Sequence, residues 1–246
     1  MLKLRDWVKL TPSINANPRA GQYLEKNPDL INWDLLSINP DAVHLLKPDK
    51  IKWKYLSANS GAIHILQQNP EKMDICWMCK NENASPFLKH HLGEINWLLL
   101  SNNPGAIKIL EANLDKVRWE WLSCNTEAIP LLEKNPDKIN WKHLSSNPSA
   151  IHLLEANPDK IDWLWLSINS AAIHLLEANP EKIDWDWLSG NTAAIHLLEA
   201  NLDKVDWHEL SKNPAIFEYD YPNMTRPFKE ELFSVVYHPD NRKRLI

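Results

Sequence analysis

The chain has 246 residues, a formal net charge of -5 and a sequence pI of about 6.1. That length can bury one or two ordinary cores, and that charge provides no basic field to attract nucleic acid or an anionic membrane. No apolar run reaches eighteen residues, so no membrane span is expected, and three cysteines do not suit a disulfide framework.

From the N-terminus, residues 1–10 are too polar for a signal peptide, and Leu2, Leu4, Trp7 and Leu10 predict an apolar N-terminal cap. A tandem repeat fills residues 11–213. Trp97, Trp119, Trp141, Trp163, Trp185 and Trp207 lie 22 residues apart. The same step leads back to Ile75 and Trp53, then 20 residues to Trp33 and a further 22 to Thr11, in a degenerate first copy. An asparagine recurs in every copy, from Asn17 to Asn213, and a Leu-Ser or Met-Cys pair in most.

One unit reads Asn169-SAAIHLLEA-Asn179-PEKI-Asp184-WDWLS. Asparagine is a preferred helix N-cap and proline a preferred first helical residue. Asn103-Pro104, Asn147-Pro148 and Asn213-Pro214 therefore open the first helix. Ala172, Ile173 and Leu176 share a face at helical spacing. A second helix of one or two turns starts at Asp162 or its equivalents, with Ile161 and Leu166 placed as a hydrophobic staple. Lys52 and Arg118 do not suit that cap. A leucine-rich repeat has a compatible period, but its strand position would fall on Leu164, whose equivalents are Glu120, Lys142, Asp186 and His208. A buried strand position does not take such charges.

The expectation is an all-α solenoid of either hand: about ten 22-residue units of two short helices, with the column tryptophans filling the core. At roughly 8–10 Å per layer it would be a rod on the order of 90 Å long. Residues 214–246 would form the C-terminal cap, an amphipathic helix from Thr225 through Phe228, Leu232, Val235 and Val236, followed by a basic tail.

The consensus NPxAIHLLEANPDKIDWxWLSxN over residues 11–213, with Asn213-Pro-Ala-Ile-Phe-Glu-Tyr-Asp220, Phe228-Lys-Glu-Glu-Leu232 and His238-Pro239, resembles a repeat of mimivirus-like giant DNA viruses. The resemblance implies a virus-encoded repeat protein inside the host cell, in the cytoplasm or viral factory rather than secreted. It transfers no catalytic residue. The copy spanning residues 75–96 departs most from the pattern.

Five glycines leave little room for a phosphate-binding loop, and neither H-E-x-x-H nor G-x-S-x-G occurs. The histidine column (His44, His64, His152, His174, His196) and the glutamate column (Glu111 to Glu199) read as a solvated ladder with cross-unit pairs. Cys76-x-x-Cys79 with His90-His91 could in principle hold zinc, but Cys79 fills the Ser column and His91 an Asn column. No metal, cofactor or catalytic residue is assigned. The candidate partner-binding residues are Tyr55, Trp77, Leu99, Trp121, His143, Trp165 and Trp187, a variable column two places after the core Trp. They stand either as an exposed ridge or as cover for the adjacent unit. The expected function is a non-enzymatic scaffold for an unknown protein partner. The alternatives are a reader of single-stranded RNA, opposed by the charge, and a self-assembling structural component, opposed by the apparent caps.

Overall fold

The computed structural model describes residues 2–219. The expected C-terminal capping helix and basic tail lie outside the described residues. Within them the chain is mostly helical, in a repeated pattern of short helices and 3-10 turns, with one two-stranded sheet.

A representative unit runs from a 3-10 turn (Pro148–Ala150) into a first helix (Ile151–Glu155), a second 3-10 turn (Pro158–Lys160) and a second helix (Trp163–Leu166). The Asx caps form as expected: Asn147 Oδ1 accepts the Ser149 N–H and Asp162 Oδ1 the Trp165 N–H. Lys52 and Arg118 make no side-chain cap bond. The second Asn-Pro pair behaves differently. Asn157 has φ -136° and ψ 62°, and its side chain donates back to the Leu153 carbonyl at 2.9 Å. It closes the first helix instead of capping the turn after it.

The interior also differs from expectation. Leu36, Leu100, Leu166 and Leu176, with Ala106, Ala150 and Ala172, are fully buried. The column tryptophans are only half-buried and pack against that core from its edge. A lysine ammonium from the second 3-10 turn of the following unit covers several of them, at 4.4 Å for Lys160 on Trp141 and 4.2 Å for Lys182 on Trp163. Such cation–π contacts suit a ring that keeps one face toward water. The layers are close enough to be filled by leucine, alanine, serine and asparagine, and an indole fits only at their rim.

Two polar ladders run through this interior. Each column asparagine donates both amide hydrogens to carbonyls of the preceding unit, as Asn125 does to Ser101 O at 3.0 Å and Asn103 O at 2.9 Å. The serine hydroxyl donates to the carbonyl of its own column Trp and accepts the cap N–H of the next unit, as Ser167 does with Trp163 and Asp184. Buried polar groups are tolerated because they are paired, and only an amide side chain supplies two donors and an acceptor here.

The ladders do not end. Asn17 in the first unit donates to Ser211 O and Asn213 O in the tenth, at 3.0 and 2.9 Å. Thr11 N–H donates to Ser211 Oγ at 2.9 Å, and Lys9 lies 5.2 Å over Trp207, continuing the lysine column. Strand β1 (Leu2–Leu4) pairs antiparallel with β2 (Phe217–Tyr219), with Lys3 opposite Glu218. Lys3 and Arg5 both reach the Glu218 carboxylate at 3.1 Å. The ten units thus form a closed circuit in place of the expected open rod, and residues 2–10 join the two ends of the stack. The reason is curvature. A whole turn shared among ten units is about 36° each, and a constant rotation of that size brings the last layer onto the first.

Candidate binding surface

The variable column lies on the second helix of each unit, at the turn beyond the Asx cap. In successive units its side chains meet. Tyr55 stands edge-on to Trp77 with ring centroids 5.2 Å apart. From Trp121 the row is unbroken: Trp121 to His143 is 5.3 Å, His143 to Trp165 is 4.7 Å, and Trp165 to Trp187 is 5.5 Å with the rings 27° from parallel. Leu99, half-buried, interrupts the row between Trp77 and Trp121.

These steps are much shorter than the roughly 8–10 Å between packed helix axes. Adjacent second helices pack directly on one another, as Trp33–Ile38 does on Trp53–Ser57 and Trp185–Ser189 on Trp207–Lys212.

The two alternatives for this column are therefore combined. Each ring covers its neighbour, yet most stay half-exposed, and Trp187 is 38% exposed. His143 is the most enclosed member, 9% exposed between two indoles. Burial lowers its pKa from the ordinary 6.5, with Glu120 opposing that shift, which favours the neutral imidazole. Charge is unevenly distributed along the row. Lys54 and Lys80 lie 5.3 and 4.8 Å over the Trp77 ring. At the far end, Trp187 shares a cavity of about 270 Å³ with Asp186, Asp206 and Glu209. A second cavity, of about 410 Å³, opens beside Leu99 and Trp121.

No protein family, curated protein or solved structure matches the chain.

The remaining sequence candidates are placed as follows. His152, His174 and His196 each meet a glutamate of the preceding unit, at 3.3, 2.8 and 2.8 Å, on exposed first-helix surface. Cys76 is exposed, whereas Cys79 is buried and its thiol donates to Ile75 O at 3.3 Å, as the column serines do. His91 pairs with Glu94. Among the described residues no group of three or more His, Cys, Asp or Glu side chains is placed to hold a metal ion, and no helix is long and apolar enough to cross a membrane. The gap at Leu99 and the carboxylates beyond Trp187 escaped the sequence reading. Leu99 was visible there as the one aliphatic member among the seven candidates, but its consequence depends on ring-to-ring stacking across units.

Proposed function

We propose that the chain is a non-catalytic scaffold, built as a closed α-solenoid, that binds a protein partner through Tyr55, Trp77, Leu99, Trp121, His143, Trp165 and Trp187. The observation that carries this reading is the continuous stack from Trp121 to Trp187, whose indoles remain partly exposed. Stacked indoles are pre-ordered, so little side-chain entropy is lost when a partner docks, and aromatic anchors dominate binding energy at interfaces. Several titratable side chains have structural employment: His152, His174 and His196 pair with glutamates, the Cys79 thiol follows the serine ladder, and asparagines bridge units. That supports a non-enzymatic role. The resemblance to giant-virus repeats supports a virus-encoded scaffold acting inside the host cell.

Stacked rings also suit single-stranded RNA, but the carboxylates beside Trp187 would repel phosphates. End-to-end self-assembly is disfavoured because the first unit occupies the surface of the tenth. Photo-crosslinking tests the reading without disturbing the fold. A benzophenone side chain at position 164, exposed and adjoining the row, should trap a protein from cells expressing the chain, while one at position 174 on the histidine ladder should not. Equal trapping from both positions, or salt-sensitive retention of single-stranded RNA in filter binding, would refute it.

A further inference from the structure

The stack Trp121–His143–Trp165–Trp187 ends in a cavity on each side, and the two cavities differ in chemistry. The one beside Trp121 lies where Leu99 stands between two units that carry an indole, Trp77 and Trp121. Its apolar wall is Leu98, 41% exposed, with Leu99, Pro104 and the Trp121 indole, and Asn102, Asn103 and the opposite charges of Lys80 and Glu82 complete its lining. At about 410 Å³ it has room for an aromatic side chain. The cavity beyond Trp187 has three carboxylates and the exposed indole. Lys212 sits on Glu209 at 2.7 Å, Asp206 accepts the Glu209 N–H at 2.8 Å, and among the described residues no lysine or arginine pairs with Asp186 or Asp206. A cation placed there would meet carboxylates on one side and a π-face on the other.

We propose that this stack seats an extended polypeptide in one direction only, with an aromatic side chain in the Leu99 cavity and an arginine or lysine in the carboxylate cavity beyond Trp187. The inference rests on the scaffold reading above and adds the chemistry and polarity of the partner. The three ring-to-ring steps of 5.3, 4.7 and 5.5 Å set the span. Along the row they amount to ~15–16 Å between its end rings, the length of about four or five extended residues. The matched segment is an aromatic residue and a basic residue separated by about four or five positions. Charge complementarity selects this occupant over a nucleic acid, whose phosphates would face Asp186 and Asp206. It also selects against an acidic segment.

The test uses the full chain and an array of fluorescein-labelled peptides, each with one Phe and one Arg at varied separation and order in a Gly/Ser background, read by fluorescence anisotropy. Peptides of the matched separation should bind at least tenfold tighter in one order than in the reverse. They should also lose at least tenfold when Arg is replaced by Glu. Asp186→Lys, at an exposed position outside both ladders, should reverse the preference so that the Glu peptide binds better than the Arg peptide. Leu99→Trp should fill the first cavity and abolish the advantage of Phe while leaving the melting temperature within a few degrees. Binding that ignores order, charge and Leu99→Trp would overturn this inference yet leave the row as a general protein-binding surface. No peptide binding together with row-specific cross-linking would do the same. Loss of row-specific cross-linking would remove the scaffold reading itself. Tighter binding of a single-stranded oligonucleotide than of any peptide would overturn both.

Discussion

The side-chain amide of Asn17 donates to the backbone carbonyl of Asn213 at 2.9 Å, across 196 residues of sequence. The equivalent bond elsewhere spans one unit, as between Asn147 and Asn125 at 3.0 Å. The junction between the ends is therefore made with the same ladder contacts as every internal junction, supplemented by the β1–β2 pair.

A closed circuit is compact. A straight stack on the order of 90 Å long, at roughly 8–10 Å per layer, would have a radius of gyration near 26 Å, against about 18 Å for a globular chain of this length. Small-angle scattering of the monomer should give a value below about 22 Å. A value near that of the rod would show that the ends separate in solution.

Removing residues 1–10 deletes β1, the Arg5 bond to Ala215 O and the Lys9 contact with Trp207. The Asn17 bonds remain, but apolar surface including Phe217 is uncovered, and exposed patches of that kind promote association. Sedimentation should show concentration-dependent oligomers formed end to end. A monomer of unchanged melting temperature would mean that the ladders alone close the circuit.

The ladder asparagines should be intolerant of substitution. Asn125→Leu strands the buried acceptors Ser101 O and Asn103 O, each costing about 1–3 kcal/mol when left unmade, and also removes the cap on the part-buried Glu127 N–H. Denaturant unfolding should register a loss of about 3–6 kcal/mol. Asn125→Asp should cost at least as much, because a carboxylate would face two carbonyls with no donor. A loss below about 1 kcal/mol, the net worth of a single ordinary bond, would refute the ladder as a main source of stability.

His143 makes stability depend on pH. Burial between Trp121 and Trp165 holds its pKa below the ordinary 6.5, so the unfolded chain binds the proton more readily than the folded one. This contribution is complete above the ordinary value and is lost as pH falls through 6.5 towards the lowered folded value, below which it levels off. His143→Phe keeps a ring in the stack and should flatten this part of the profile. The difference in melting temperature between wild type and variant should shift between pH 7.5 and 5, in the sense of relatively weaker wild type at low pH.

Burial pushes the Cys79 and Cys124 thiols above their ordinary pKa, so the reactive thiolate is scarce at neutral pH. Cys76 is exposed. Brief alkylation of the native protein followed by peptide mapping should modify Cys76 first, with Cys79 and Cys124 reacting only after unfolding. Equal labelling of all three would indicate that the unit carrying Cys79 opens readily.

The 22-residue period, the two short helices and the Asx caps were legible in the chain because each depends on neighbours a few residues away: Asp162 caps Trp165, and Leu166 follows the staple residue Ile161 by five places. The row from Tyr55 to Trp187 was legible as a column too, since its members share one helical phase. What the column does required the packing of one unit on the next, which brings the Trp165 and Trp187 ring centroids within 5.5 Å. The same holds for the tryptophans assigned to the core: hydrophobicity marks them for burial, but the interlayer gap admits Leu166 and Ala172 and leaves Trp163 at the rim under Lys182. Closure lay furthest from view. No local pattern links Thr11 to Ser211, and a small rotation per unit, set by how unequal side chains wedge the two faces of each layer apart, accumulates over ten units into the contact that joins the ends.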